Sequence, residues 1–220
     1  MLNKDLISAS VPTLSLADTV FQALQLMADY HISHLPVISE DKYLGLVNED
    51  RLLNVEDDSS LLEKLQPEFL VLSVSANMHL VEAVRLVNEF SLSLTPVVDV
   101  DMNWVGAITT ADLLKAVGSV YGMEEHGGII ILELEKREFS FSQISKLVET
   151  NDTHITQLNT HFDNNLGVLF VTIKINKLEI SDIVATFQRY DYHVKYYFGE
   201  ELYENELKTN YDHLMNYLNI

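Results

Sequence analysis

The segments 35–38, Leu-Pro-Val-Ile, and 95–98, Thr-Pro-Val-Val, decide the fold, because they mark the same position in two copies of one repeat. The two copies align when the chain is shifted by 60 residues. After one inserted residue, Gly45-Leu46-Val47 aligns with Gly106-Ala107-Ile108. A repeat of this length indicates two equivalent units that bury a core by packing on each other.

Each copy of the repeat predicts a helix, two strands and a second helix. In the first copy, apolar residues recur at helical spacing over 16–27, and Ser15-x-x-Asp18 has the pattern of a capping box. Two apolar runs, 34–38 and 43–47, predict a pair of strands joined by a polar turn. Paired leucines then predict a second helix. The pattern therefore predicts an α/β (α+β) fold.

This arrangement resembles the CBS domain, which occurs as tandem pairs called Bateman modules. The resemblance covers roughly residues 6–118 and divides into a first copy, 1–60, and a second copy, 61–118. In that family each copy ends in Gly-h-h-Thr/Ser-x-x-Asp, where h is apolar, and the Asp takes the ribose hydroxyls of an adenosine ligand. A carboxylate accepts two hydrogen bonds from a vicinal diol, and a helix N-terminus offers free N–H groups to a phosphate.

The second copy matches this motif at every named position, with Ala107, Ile108, Thr109 and Asp112 as the implied ligand-binding residues. The first copy departs from it, with Asn48 in place of the hydroxyl residue and Arg51 in place of the acid. Since a guanidinium has no acceptor, the resemblance implies one intact site beside one altered site. Thr109-x-x-Asp112 is also the pattern of a capping box, which a helix would use without any ligand.

The family's sites also use residues of the other copy, just before the Leu-Pro-Val strand. Here these are Ser33 and His34, while their counterparts Ser93 and Leu94 would face the altered site. His34 would either crowd an adenine or supply one positive charge to a phosphate. Lys115 is another base near Asp112, and so few bases argue against tight binding of a triphosphate.

The second half of the chain predicts a small α/β domain. A polar connection, 119–127, leads into the predicted domain 128–199. That domain has strands at 128–134, 154–162, 168–175 and 193–198, and helices at 141–149 and 180–190. The order β-α-β-β-α-β is ferredoxin-like, with two helices on one face of a four-stranded sheet.

The predicted domain 128–199 resembles an ACT-like domain, and a CBS pair followed by such a domain is similar to acetoin-utilisation AcuB-type proteins. Amino-acid-binding ACT domains usually carry Pro or Gly in the loop after the first strand. Here that loop, 135–140, has neither. Packing against a second copy is the use expected for this domain, because one sheet face is left uncovered. The tail, 200–220, is expected to be helical and to dock on a neighbour through Leu214, Tyr217 and Leu218.

Composition excludes several classes of partner. The net charge of −19 disfavours nucleic acid and anionic membranes as partners. The chain has no cysteine, which excludes disulfides and thiol catalysis. A signal-peptide core and a 20-residue apolar run are missing from the sequence, so a cytoplasmic location is expected. The sequence also has no catalytic or phosphate-binding motif that nominates an enzyme, and His31-x-x-His34 lacks the pattern of a metal site.

These observations predict a non-catalytic regulatory protein that senses AMP, ADP, ATP or S-adenosylmethionine, has no other cofactor, and relays binding through a homodimer to an unknown protein. Two alternatives stay open: a ligand-free assembly or adaptor protein, and amino-acid sensing by the ACT-like domain. For the relay, Gly122, Gly127 and Gly128 make 119–127 the expected hinge.

Overall fold

The computed structural model describes residues 1–199. The chain divides into two compact units, Met1–Val117 and Gly118–Ile220, the second described as far as Gly199. The predicted helical tail 200–220 lies outside the described residues.

The two copies of the repeat fold alike within the first unit. In the first copy the elements are α1 (Val20–Tyr30), β1 (His34–Ser39), β2 (Lys42–Asn48) and the one-turn helix α2 (Glu49–Leu52). In the second copy they are β3 (Val74–Ser75), α3 (Val81–Phe90), β4 (Leu94–Val98), β5 (Trp104–Thr109) and α4 (Thr110–Val120). The predicted order of helix, two strands and helix is confirmed in both copies.

The start of α1 differs from the prediction. Thr19 is the residue before the helix, its side chain accepts a hydrogen bond from the Gln22 N–H, and Gln22 bonds back to the Thr19 N–H. Ser15 and Asp18 also bond to each other, with 2.6 Å from the Ser15 nitrogen to the Asp18 carboxylate. They close a turn that precedes the helix. The helix therefore begins at a second capping box, Thr19-x-x-Gln22, which was not predicted from the sequence.

Both copies contain a short parallel pairing that the sequence pattern did not predict. β3 runs parallel to β4 in the second copy, and Leu14 forms an isolated parallel bridge to Val37 in the first. β1 pairs antiparallel with β2, and β4 with β5. A two-residue strand is too short to show alternation, so periodicity cannot detect it.

Two segments, one around Ile7 and Ser8 and the other around Leu70, each pack on the copy to which they do not belong. We call them the crossing segments. In one, Ile7 packs so closely on Gly106 that a Cβ there would lie 2.5 Å from the Ile7 Cγ2, and the Ser8 N–H donates to the Ala107 carbonyl. In the other, Leu70 exchanges both backbone hydrogen bonds with Leu46. The glycine of the repeated motif is therefore required by close packing of the crossing segment.

One pair of equivalent core positions differs in polarity between the two copies. Leu35 and Thr95 occupy the same place in the repeat, and both are fully buried. The Thr95 hydroxyl oxygen is buried without a hydrogen-bond partner among the described residues. A polar group buried in this way destabilises the fold.

The second unit has the predicted β-α-β-β-α-β order. Its elements are β6 (Ile129–Leu134), α5 (Phe141–Glu149), β7 (Ile155–Asp163), β8 (Val168–Ile175), α6 (Ser181–Arg189) and β9 (His193–Phe198). The strands form one antiparallel sheet in the order β7-β8-β6-β9. Alternate residues of β6 and β8 are buried in one core with the inner faces of α5 and α6, including Ile144 and Phe187. The ferredoxin-like arrangement is therefore confirmed.

The predicted connection 119–127 is more ordered than a free hinge. α4 extends to Val120, and the chain that follows is held on the sheet. Gln157 donates to the Val120 carbonyl at 2.8 Å, and Lys174 donates to the Gly122 carbonyl. A Cβ on Gly127 would lie 1.9 Å from the Ile175 carbonyl oxygen, so this glycine is required by close approach of two backbones. Gly127 therefore does not provide the rotation expected of it.

The sheet face opposite the helices is partly covered by this connection. On its β6 and β9 side, Glu133 pairs with Lys195 at 2.6 Å, and the Lys195 ammonium lies 4.3 Å from the centre of the Phe170 ring. Tyr196 and Phe198 are about half exposed on the same face. The expectation of an uncovered face holds for this side of the sheet among the described residues.

Candidate functional site

The predicted site lies where β5 passes into α4. Thr109 ends the strand, and Asp112 lies in the first turn of the helix. The Asp112 N–H donates to the Thr109 hydroxyl at 3.1 Å, and that hydroxyl donates to the Asp112 Oδ2 at 2.9 Å. The structure therefore brings together the two polar residues that the motif nominated.

Ser8 is a third member of this site, and the sequence motif did not reveal it. Its hydroxyl donates to the Asp112 Oδ2 at 2.5 Å and accepts the Thr109 N–H at 3.0 Å. In a capping box the acid would accept that N–H. The capping interpretation is therefore right for the Thr109 hydroxyl and wrong for the Asp112 carboxylate. We call Ser8, Thr109 and Asp112 the Asp112 site.

The Asp112 carboxylate is ionised at neutral pH. Hydrogen bonds from Ser8, Lys115 and Thr109, in that order of importance, lower its pKa to about 2. The Lys115 ammonium lies 3.0 Å from the Asp112 Oδ1. The Asp112 side chain is 38% exposed, so a ligand from solvent can reach it.

Ala107 and Ile108, also implied as ligand-binding residues, position the site through the backbone. Their side chains are 1% and 0% exposed, and the Ile108 side chain lies in the core of the second copy. The Ala107 carbonyl accepts the Ser8 N–H at 2.9 Å. These residues fix β5 and hold Ser8 against it.

Ser33 and His34 belong to a different hydrogen-bond cluster. The His34 Nδ1 lies 3.1 Å from the Ser33 hydroxyl and 3.2 Å from the Ser93 hydroxyl, and its Nε2 lies 3.0 Å from the Asn48 amide nitrogen. The hydrogen bonds of the described residues do not join this cluster to Thr109 or Asp112. Contact of Ser33 and His34 with a ligand at Asp112 stays a prediction.

His34 is neutral at neutral pH. The Asn48 Oδ1 accepts the Asp50 N–H at 2.8 Å, so the Asn48 amide N–H2 faces the His34 Nε2, which must accept. The Ser93 N–H donates to the Nδ1 of the same ring at 3.3 Å, so both ring nitrogens face N–H donors, which disfavours a second ring proton. Burial lowers the pKa of His34, against a smaller raising effect of Asp50. His34 therefore does not supply the positive charge considered for a phosphate.

The counterpart site in the first copy is occupied by the chain itself. The Arg51 guanidinium donates to the Glu68 carbonyl at 3.2 Å and lies 3.9 Å from the Glu68 carboxylate. We call Asn48, Arg51 and Glu68 the Arg51 site. The cavity beside them has a volume of about 20 Å³. That is room for about one water molecule.

Residues 1–199 contain neither a metal-binding cluster nor a membrane-spanning helix. Within that range, His, Asp and Glu side chains do not form a cluster that could hold a metal ion. The helices of the same range are too short or too polar to span a membrane.

Comparison with known proteins identifies the family of the first half of the chain. The family model described as CBS domain matches residues 4–58 and 71–119. The first half of the chain is therefore a tandem CBS-domain pair, and Thr109 and Asp112 lie at the end of its second copy.

The curated relatives are longer proteins. A homoserine O-acetyltransferase from Methanobrevibacter ruminantium is 32% identical over 52% of this chain and 24% of its own length. An inosine-5′-monophosphate dehydrogenase from Thermoplasma acidophilum is 26% identical over 82% of this chain and 36% of its own length. The chain thus spans about a quarter to a third of these relatives.

Solved structures show the same kind of likeness. A CBS domain pair/ACT domain protein from Thermotoga maritima is 25% identical over 54% of this chain and 98% of its own, with a TM-score of 0.49. CBSX2 in complex with AMP is 24% identical over 54% of this chain and 97% of its own, with a TM-score of 0.43. At TM-scores below 0.5 these likenesses support no conclusion about the second unit or about a ligand.

Proposed function

We propose that this protein is a non-catalytic regulator that binds an adenosine-containing ligand at the Asp112 site. The observation that carries the proposal is the partly exposed, ionised Asp112 carboxylate beside Thr109, at the end of the second copy of a CBS-domain pair. Such a carboxylate accepts both hydroxyls of a ribose, and charge-assisted hydrogen bonds of this kind are strong.

The charges around the site favour a ligand of low negative charge. Lys115 is the base that touches Asp112, and the carboxylate partly neutralises it. His34 is neutral, and the whole chain carries a net charge of −19. AMP, adenosine or S-adenosylmethionine should therefore bind more tightly than ATP, since each added phosphate charge raises the repulsion.

Self-association is the second part of the proposal. Three exposed apolar positions recur in both copies, and such recurrence would present matching patches to a second chain. The pairs are Phe21 with Val81, Tyr30 with Phe90, and Leu53 with Leu114, each residue 44% to 68% exposed. A homodimer through these helices would bury them. Light scattering at micromolar concentration should give twice the mass of one chain. The double variant Leu53→Glu, Leu114→Glu should give the mass of a single chain.

Titration calorimetry tests the ligand. The full chain, titrated with AMP, adenosine, ATP and S-adenosylmethionine, should bind one molecule per chain, because Arg51, which replaces the acid in the Arg51 site, has no hydrogen-bond acceptor for a ribose. Two equivalent ligands per chain would contradict the assignment of that site. A chain that binds none of the four at millimolar concentration would favour the ligand-free adaptor.

One observation supports amino-acid sensing as a second function. A cavity of about 430 Å³ lies beside the loop after β6, where Arg137, Glu138 and Asp191 are among its lining residues. These charges could pair with the carboxylate and the ammonium of a free amino acid. A thermal-shift panel of the twenty amino acids would identify one, and Arg137→Ala should abolish that shift.

A further inference from the structure

The Ser8 hydroxyl makes the bonds that a ligand hydroxyl would make at the Asp112 site. It donates to the Asp112 carboxylate at 2.5 Å and accepts the Thr109 N–H at 3.0 Å. A ribose diol that bonds to both oxygens of the Asp112 carboxylate would need Oδ2, whose two lone pairs already accept hydrogen bonds from Ser8 and Thr109. Ser8 is therefore chemically equivalent to part of a bound ligand.

The Arg51 site shows the same arrangement with different chemistry. There the carbonyl and carboxylate of Glu68 hold Arg51. Ser8 lies in the crossing segment that packs on β5, and Glu68 directly precedes the crossing segment that packs on β2. Each crossing segment thus delivers a polar group to the site of the copy on which it packs.

The backbone of Ser8 is fixed, while its side chain can turn. The Ser8 N–H is bonded to the Ala107 carbonyl at 2.9 Å, and the preceding Ile7 packs against Gly106. Ser8 itself is partly exposed. Rotation about the Cα–Cβ bond, between ordinary staggered positions, would release Asp112 without moving the chain.

We propose that Ser8 is an internal placeholder, which occupies the Asp112 site in the free protein and turns away when an adenosine-containing ligand binds. The inference rests on the proposed function, since it names the competitor of that ligand. Ser8 is then a positioning residue that sets the affinity, because binding of the ligand breaks the hydrogen bond between Ser8 and Asp112. The Asp112 carboxylate stays ionised and oriented in the absence of ligand.

The test compares AMP binding by the full-length protein, Ser8→Ala and Ser8→Thr in calorimetry. Ser8→Ala removes the competing hydroxyl and should lower the Kd about three- to tenfold, the effect of one net intramolecular hydrogen bond. Ser8→Thr keeps a hydroxyl and should retain the original Kd. Ser10→Ala, an exposed serine two residues on, is the matched control.

An unchanged or higher Kd for Ser8→Ala would overturn the placeholder while leaving the proposed function intact. If no variant binds AMP, adenosine, ATP or S-adenosylmethionine at millimolar concentration, both proposals are overturned. Carbon-13 NMR of the Asp112 carboxyl provides a readout without ligand. Its pKa of about 2 should rise in Ser8→Ala, and an unshifted titration would show that Ser8 does not hold the carboxylate.

Discussion

Thr109 and Asp112 in the second copy and Asn48 and Arg51 in the first occupy equivalent positions at the starts of α4 and α2. In both copies a strand leads into the helix and carries a glycine that packs under a crossing segment. In the second copy an ionised carboxylate remains accessible. In the first, a guanidinium is paired within the chain beside a cavity of about 20 Å³. The difference teaches that two copies of one motif can keep the same order of elements while the charge at the end of the motif is reversed.

Among the changes that test this comparison, removal of the Asp112 carboxylate should have the largest effect, and that effect is on ligand binding. Asp112→Ala should weaken AMP binding about 100-fold or more, because two hydrogen bonds to a charged group are lost. Calorimetry measures the Kd, and circular dichroism checks that the fold persists. Arg51→Ala is the matched control in the other copy and should leave the Kd unchanged. Equal losses from both substitutions would show that the two sites are not chemically distinct.

Leu35 and Thr95 are equivalent core positions, so a substitution at each one tests how the two copies differ in stability. Leu35→Thr should lower the free energy of unfolding by about 3 kcal/mol, because a buried leucine is lost and an unpaired hydroxyl is introduced. Thr95→Val should raise it by about 1 kcal/mol, because the unpaired hydroxyl is removed at similar volume.

Urea denaturation of the full chain measures both changes at Leu35 and Thr95. A loss of stability on Thr95→Val would mean that the hydroxyl has a partner, such as an internal water molecule.

His34, whose counterpart is Leu94, should make stability depend on pH. Its folded pKa lies below the unfolded value of about 6.5, so its contribution is complete above that pH and is lost as the pH falls toward the folded pKa. Between pH 6.5 and 5 the free energy of unfolding should fall by at most ~1.4 kcal/mol per pH unit from this residue.

His34→Leu, which copies Leu94, should flatten the slope of unfolding free energy against pH in urea denaturation. The exposed His31 is the control, and His31→Asn should keep the slope, since asparagine tolerates the positive φ of 54° found there. A slope that survives His34→Leu would assign it to other groups.

The smallest effect is expected at the Arg51 site. The Arg51–Glu68 pair is more than half exposed on both sides, so Arg51→Ala should cost about 1 kcal/mol or less of unfolding free energy. Thermal unfolding at low and high salt measures it. A larger loss, insensitive to salt, would mean that Arg51 stabilises the first copy through packing.

The sequence predicted most of the elements because their signals are local. α5, β8 and β9 begin and end at the predicted residues, since alternation and helical spacing are complete within each segment. The contact between Thr109 and Asp112 is local as well, since they are three residues apart in the family motif that nominated them.

Features that depend on long-range contacts were missed. Ser8 is 104 residues from Asp112, and no pattern within the repeat indicates that it crosses to the other copy. The pairing of His34 with Ser93 and Asn48 depends likewise on how the copies pack. Gly127 was interpreted as flexible, although it is required by its approach to Ile175, which is distant in sequence.

The crossing segments have a consequence for how the first unit is made. Leu6 and Ile7 pack in the core of the second copy, beside Val74 and Ile108. On the ribosome, the first eight residues therefore emerge long before the surface that receives them. Residues synthesised as far as Thr109 must leave the exit tunnel before that core is complete. The pair should thus fold late and in one cooperative step, and neither copy should be stable when it is expressed alone.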